Sequence, residues 1–152
     1  MKRTLISVFV LVAVLAATAA AETSTFGAGI IIGEPTGIGI KLHLNSGNAL
    51  AFGVAWSLDE ENELHVQGDY LYHNYDLIDV EEGEMPLYFG VGGRIKINEH
   101  ADDNVGIRFP VGLDYIFADY PFDIFLELVP ILDLAPDTDF DLNGALGGRF
   151  WF

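Results

Sequence analysis

Bulky apolar residues alternate with small or charged residues along most of this chain. In one segment Leu50 and Phe52 share a face, while Ala51 and Gly53 occupy the opposite face. Period-two alternation is typical of β-strands, because successive side chains of a strand point to opposite sides of its sheet. No helical period of 3.6 residues competes with this pattern after residue 21. The pattern therefore predicts an all-β domain.

Turn-forming residues interrupt the alternation at short intervals. These clusters are rich in Gly, Pro, Asn, Asp or Glu, as hairpin turns are. We place them at 33–36, 45–48, 59–62, 76–84, 98–104, 118–121 and 135–138. They bound eight segments near 25–32, 37–45, 49–58, 63–75, 85–97, 105–117, 122–134 and 139–152. The spacing predicts eight antiparallel strands in up-and-down order.

The basic residues indicate which face of the strands points inward. After residue 21 the chain has five of them, and all five lie on the small, polar faces. A Lys or Arg that faces lipid at the bilayer midplane costs about 2–4 kcal/mol, so a transmembrane barrel confines these residues to its interior. Asp133 and other acidic residues share the same faces. The predicted interior ion-pair network is Lys41, Asp69, Arg94, Lys96, Arg108, Asp114, Asp123, Glu127, Asp141 and Arg149.

Segment length and aromatic placement favour the same transmembrane barrel. Most segments approach the roughly 9–11 residues that cross a bilayer as a tilted strand. Aromatic residues such as Trp56, Tyr72 and Phe122 lie on the apolar faces, many near strand ends, where interfacial girdles form. An eight-stranded barrel is just wide enough for its interior side chains, so we expect a plugged interior.

The N-terminal segment predicts export from the cytoplasm, and the composition narrows the class of protein. Residues 1–21 combine a basic start, an apolar run and a small-residue A-x-A end, which predicts a cleaved secretory signal peptide before a barrel domain at 22–152. The chain has no cysteine, and the mature part has five basic against 23 acidic residues, a net charge of −18. This charge argues against a nucleic-acid partner, and the 51% hydrophobic content argues against a disordered acidic chain.

The C-terminal sequence GGRFWF resembles the assembly signal of bacterial outer-membrane barrels. The matching residues are Gly147, Phe150 and Phe152, although Ala145 stands where the family prefers a polar residue. The mature chain resembles small OmpA/OmpX-type barrels from Gram-negative bacteria and is similar to uncharacterised short outer-membrane barrel proteins. The resemblance implies insertion by the outer-membrane assembly machinery and contact with outer-membrane lipid and lipopolysaccharide. We expect a monomer.

Two acidic turns are candidates for ion binding. They are Asp59–Glu61 and the group of Glu99, Asp102 and Asp103. Hard oxygen ligands suit calcium or magnesium, but a solvated loop that resists aggregation is the favoured interpretation. If both ends of the barrel domain face the periplasm, these loops face outward from the cell, and the longest loop, 76–84, faces inward.

The chain offers weak alternatives to a non-enzymatic membrane barrel. Ser57, Glu63 and His65 have the composition of a hydrolytic triad, which suggests a lipid-modifying enzyme. His65, Asp69 and His73 lie four residues apart, about 13 Å between neighbours on a strand, so they do not share a metal. A metal pair of one of them with His43, from another strand, is the weaker alternative to a satisfied interior histidine. We expect no catalytic residue, cofactor or metal.

A soluble, lipocalin-like barrel that binds an apolar ligand is the remaining alternative. It would place Phe52, Trp56, Phe109 and Leu126 in the interior.

Overall fold

The protein is described by a computed structural model that covers residues 25–33, 36–56, 63–98 and 102–152. Every regular element in these ranges is a β-strand. No helix among them is long and apolar enough to cross a bilayer. The strands are β1 Phe26–Gly33, β2 Thr36–His43, β3 Asn48–Trp56, β4 Leu64–Asn74, β5 Leu87–Ile97, β6 Asn104–Arg108, β7 Val111–Ile116, β8 Phe122–Ala135 and β9 Asp139–Trp151.

The strands close into an up-and-down barrel. Each pairs antiparallel with its sequence neighbours, except where β6 and β7 share a place in the wall, and β9 returns to pair with β1. The C-terminal residues belong to this closure, since Trp151 pairs with Gly27 and the Phe152 amide donates to the Phe26 carbonyl. No strand edge is left unpaired in a closed wall. The predicted eight-stranded antiparallel barrel is confirmed.

The sixth predicted segment, 105–117, is divided into β6 and β7 at Phe109 and Pro110. Proline has no amide hydrogen, so it cannot donate to the ladder. The two pieces nevertheless keep the same register against β5, and from Gly106 onward also against β8, where the register shifts between Val105 and Gly106. The Pro110 carbonyl still accepts from the Gly90 amide. They act as one wall strand, so the wall has eight positions although nine strands are assigned.

The strands are staggered around the wall. If each residue is followed to its partner on the next strand, a path that starts at Gly29 on β1 reaches Asp139 on β9. Where β9 closes on β1, however, Gly29 pairs with Arg149, about ten residues further along β9. The path passes through Gly39, Gly53, Gln67, Arg94, Gly106 and Asp133. Such a stagger tilts the strands and sets the barrel's diameter.

Bulky apolar side chains face out and small or charged ones face in. Leu126 is 58% exposed, Phe109 45% and Trp56 44%, whereas Lys41 is fully buried and Arg94 is 2% exposed. The lipocalin-like hypothesis, which needs these apolar residues inside, is therefore wrong for this fold. Its fourth residue, Phe52, lies on the same outward face and packs over Gly68, the glycine opposite it on β4.

The two ends of the barrel differ. We call the end where β1 begins and β9 ends the proximal end, and the opposite end distal. The proximal end carries the turn at 44–47, the long loop at 75–86 and the turn at 117–121. The long loop is fastened to β7, because Glu84 and Ile116 exchange two backbone hydrogen bonds and the Tyr115 hydroxyl donates to the Glu82 carbonyl. Its Gly83 adopts a φ of 76°, a conformation that favours glycine.

Candidate functional site: the charged interior of the barrel

Small residues on one part of the wall leave room for long side chains on the other. The inward positions of β2 and β3 include Gly37, Gly39, Ala49 and Ala55, which cannot reach across the barrel. The inward positions of β4 to β9 carry the arginines, the carboxylates and the large rings Tyr88 and Phe125. Several glycines are needed for this packing: a Cβ at Gly112 would collide with the Tyr88 ring, and a Cβ at Gly147 with the Phe125 ring. The interior charges are therefore held in a narrow space.

The first group of charges, the proximal tier, contains Lys41, Asp114, Asp123 and Arg149. Lys41 Nζ lies 2.6 Å from Asp114 Oδ2, and Arg149 Nη2 lies 2.5 Å from Asp114 Oδ1. Arg149 Nε also donates to Asp123 at 2.9 Å, and the Trp151 indole N–H donates to Asp123 at 2.8 Å. All four charged groups are buried, and four strands, β2, β7, β8 and β9, contribute to the contacts.

A layer of rings covers the proximal tier at the barrel's end. The His43 ring lies 4.9 Å from Trp151 and 5.3 Å from His73, measured between ring centroids. His73 in turn stacks on Tyr75, at 6.2 Å, and contacts Tyr88, at 5.3 Å. Burial, with smaller effects from nearby carboxylates led by Glu84, raises the pKa of Tyr75 to about 12, so its hydroxyl stays neutral. We call these five rings the proximal cap.

The central tier is built on Arg108. Its Nε donates to both oxygens of Asp69, at 2.8 and 3.1 Å, and Nη1 donates to the amide oxygen of Gln67. Glu127 makes a longer contact with Arg108, 3.4 Å from Nη2, and accepts a 2.6 Å hydrogen bond from the Tyr88 hydroxyl. Tyr88 also lies beneath the Lys41 ammonium, 4.7 Å from the ring centroid, and so connects the central tier to the proximal one.

The distal tier joins Arg94 and Lys96 to two carboxylates. Arg94 donates to Asp133 through Nε and Nη2, at 3.2 and 2.8 Å, and through Nη2 to Asp141 at 3.0 Å. Lys96 Nζ lies 3.8 Å from Asp141 and is only partly buried. The three tiers together contain all ten residues of the predicted network. They also contain Asp133, which binds Arg94.

The three tiers differ in formal charge. With histidine taken as neutral, the proximal tier has two cations and two carboxylates, and so does the distal tier. The central tier has two carboxylates, Asp69 and Glu127, against the single cation Arg108. It therefore carries an excess of one negative charge. A small cavity of about 50 Å³ opens beside this tier, lined in part by Gln67 and Asn143, and has room for a few water molecules.

Comparison with known proteins supports the fold. No protein-family model and no curated protein matches this sequence. Among solved structures, the chain is similar to the N-terminal β-barrel domain of Pseudomonas aeruginosa OprF, with a TM-score of 0.63 and 18% sequence identity. The match covers 84% of this chain and 95% of the OprF domain. At this identity the likeness establishes a shared small-barrel fold.

The predicted hydrolytic residues are only partly described. Glu63 Oε2 lies 3.3 Å from His65 Nε2 at the distal end, whereas Ser57 lies outside the described residues. The described part therefore contains a carboxylate–imidazole pair of the kind that orients a general base, without its nucleophile.

The predicted ion-binding turns are also only partly covered. Asp59–Glu61 and Glu99 lie outside the described residues. Asp103 is used within its own turn, because its side chain accepts from the Asn98 amide at 3.2 Å, and the Asp102 carbonyl accepts from the Asn98 side chain. No group of three or more metal-ligating side chains occurs in the ranges that the structure covers. His43 and His73 do meet, but their neighbour Asp114 is already bound by two cations.

The C-terminal phenylalanines, Phe150 and Phe152, face outward at the proximal end. Phe150 contacts Phe122 at 5.1 Å and Phe152 at 4.9 Å, and Phe152 also contacts Phe26 at 5.9 Å. Gly147 sits inward, beneath the Phe125 ring. These contacts show that the predicted assembly residues are part of the folded wall. Their recognition by an assembly machinery remains a prediction.

Sequence reasoning missed two inward rings that organise the site. Tyr88 links the central and proximal tiers, and Phe125 lies 4.3 Å beneath the Arg149 guanidinium. The signal was available, because Tyr88 shares the face of Gly90, Gly92 and Arg94 under period-two alternation. Most aromatic residues on the other strands lie on the outward face, so an inward direction was not expected for Tyr88 and Phe125.

Proposed function

We propose that this protein is an integral outer-membrane β-barrel with a structural or surface role and no enzymatic activity. The observation that carries the proposal is the inside-out distribution of residues. Large apolar side chains cover the wall, while four buried cations and the partly buried Lys96 pair with carboxylates inside. In water this exterior would be a very large exposed apolar patch, which soluble monomers avoid. In a bilayer it is the surface that lipid requires.

Gel mobility tests the membrane assignment. The protein would be taken from a washed membrane fraction and run with and without boiling in detergent. We expect a faster-migrating band without boiling that shifts on heating, because a closed barrel resists detergent. Recovery in the soluble periplasmic fraction with a single band would overturn the proposal.

The proposal includes an interior plugged by side chains. Arg94, Arg108 and Arg149 extend into the barrel from different strands, and the central cavity of about 50 Å³ holds only a few waters. Liposomes that contain the refolded protein should therefore exclude sugars and amino acids. Swelling of these liposomes in an isotonic solution of a monosaccharide would contradict the plug.

A lipid-modifying activity is the alternative, and the Glu63–His65 contact is what favours it. Lipid A and phospholipids would be compared between a deletion strain, the complemented strain and a strain that carries Ser57→Ala. We expect identical lipids in all three. A product that requires the wild-type gene and disappears with Ser57→Ala would establish the enzyme instead.

We further propose that contact with lipopolysaccharide goes through divalent cations. Four of the five basic residues after residue 21 are buried, and the fifth, Lys96, is only partly exposed and lies 3.8 Å from Asp141, so the described part of the chain offers little cationic surface for direct phosphate binding. Acidic groups dominate the turns, and calcium or magnesium can bridge carboxylate to phosphate. Lipopolysaccharide binding by the refolded barrel should require millimolar magnesium and be lost with a chelator. Binding that is unaffected by the chelator would refute this bridge.

A further inference from the structure

The buried imidazole of His73 has one nitrogen without a hydrogen-bond partner. Its Nδ1 lies 3.3 Å from the Gly47 carbonyl, an acceptor, so Nδ1 must carry the hydrogen. In the neutral ring Nε2 is then an acceptor, and it lies 3.5 Å from Asp114 Oδ2, which is also an acceptor. No donor reaches this Nε2 among the described residues, although the His73 side chain is completely buried.

A proton on Nε2 would convert this mismatch into a hydrogen-bonded ion pair. Asp114 Oδ2 is held at present by Lys41 Nζ at 2.6 Å. Protonated His73 would compete with Lys41 for the same oxygen atom, while Asp114 Oδ1 stays with Arg149. The site therefore has two alternative arrangements that differ by one proton.

Ring contacts connect the exchange of Lys41 for His73 on Asp114 to the rest of the proximal cap. His73 touches His43, Tyr75 and Tyr88, and His43 stacks on Trp151. The proximal tier is neutral when both histidines are neutral, and a proton would give it a net positive charge. The charged and titratable groups that face the two histidines are Lys41 from β2, Tyr75 from the long loop, Tyr88 from β5, Asp114 from β7 and Arg149 from β9. Glu84 from the long loop and Asp123 from β8 lie further out, beside Tyr75 and Trp151.

We propose that His73 is a proton-operated switch that exchanges Lys41 for itself on Asp114 and thereby repacks the proximal cap. On acidification Nε2–H donates to Asp114 Oδ2, Lys41 leaves this oxygen, and the rings around Trp151 rearrange. The switch resides in the barrel's own residues and needs no ligand. It goes beyond the structural role proposed above, because it makes one end of the barrel responsive to pH.

Trp151 reports on the switch. The chain has two tryptophans, so Trp56→Phe leaves Trp151 as the sole one. Refolded Trp56→Phe barrel would be titrated from pH 8 to pH 5 while tryptophan emission and acrylamide quenching are recorded. We expect a single reversible transition in both signals. The transition should persist with His43→Gln and vanish with His73→Gln.

A second variant tests the competition itself. Lys41→Met removes the group that occupies Asp114 Oδ2, so the transition should move to higher pH, by about one unit or more. Should His73→Gln fail to fold, the His73 imidazole carbon resonances of the otherwise intact barrel would show whether this ring titrates with the Trp151 signal. A flat Trp151 signal, a transition retained in His73→Gln, a His73 resonance that does not titrate, or an unmoved midpoint in Lys41→Met would each overturn the proposal.

Discussion

Arg149 provides the most direct test of the interior network. It binds two buried carboxylates, Asp114 at 2.5 Å and Asp123 at 2.9 Å, and only 8% of its side chain is exposed. In Arg149→Gln, Asp114 keeps Lys41, but Asp123 keeps only the Trp151 indole N–H. The variant therefore contains one buried carboxylate that no cation neutralises.

The expected loss of stability follows from that single unpaired charge. Breaking a buried ion pair by removing one partner costs about 3–5 kcal/mol, because the remaining charge stays desolvated. Removing the charge as well should restore most of this loss. Arg149→Gln combined with Asp123→Asn leaves a neutral tier with the Lys41–Asp114 pair intact, so we expect a net cost below about 2 kcal/mol.

Urea unfolding of the refolded barrel in lipid vesicles measures these differences. Refolding without cellular factors separates stability from any effect on assembly, since Arg149 lies within the C-terminal sequence. Asp123→Asn alone completes the double-mutant cycle. The reasoning would be refuted if Arg149→Gln cost less than about 1 kcal/mol, or if the double variant were no more stable than Arg149→Gln. In the latter case the loss would come from packing on the Phe125 ring.

Three further predictions concern the wall and the central tier. Gly37→Ala should destabilise the barrel by about 1–3 kcal/mol because its Cβ would collide with the β3 backbone, whereas Gly93→Ala, whose nearest contact is 3.6 Å away, should leave the unfolding midpoint unchanged. Leu126→Arg, on the outward face, should cost about 2–4 kcal/mol in a bilayer, and a neutral effect there would argue against lipid contact. Glu127→Gln should be close to neutral because it removes the excess negative charge of the central tier, while Arg108→Gln should cost about 3–5 kcal/mol; equal losses would contradict the charge count.

The sequence alone was sufficient to predict the barrel and which face of its strands points inward. Side-chain direction in a strand depends only on the parity of the residue number, so Lys41, Arg108 and Arg149 could be assigned to one face without knowledge of any neighbour. The energetic cost of placing such charges against lipid then assigned that face to the interior. Strand number followed from turn residues, which act locally.

Only the tertiary structure decided which charges meet. Partners such as Arg108 and Asp69 come from strands that are distant in sequence, and their heights along the barrel depend on the stagger accumulated around the whole wall. The same stagger brings His43 beside His73 and places Tyr88 between two tiers. Parity determines the face of a residue, but the closure of eight strands determines its neighbours. The negative excess of the central tier and the unpartnered His73 nitrogen therefore became visible only in the closed barrel.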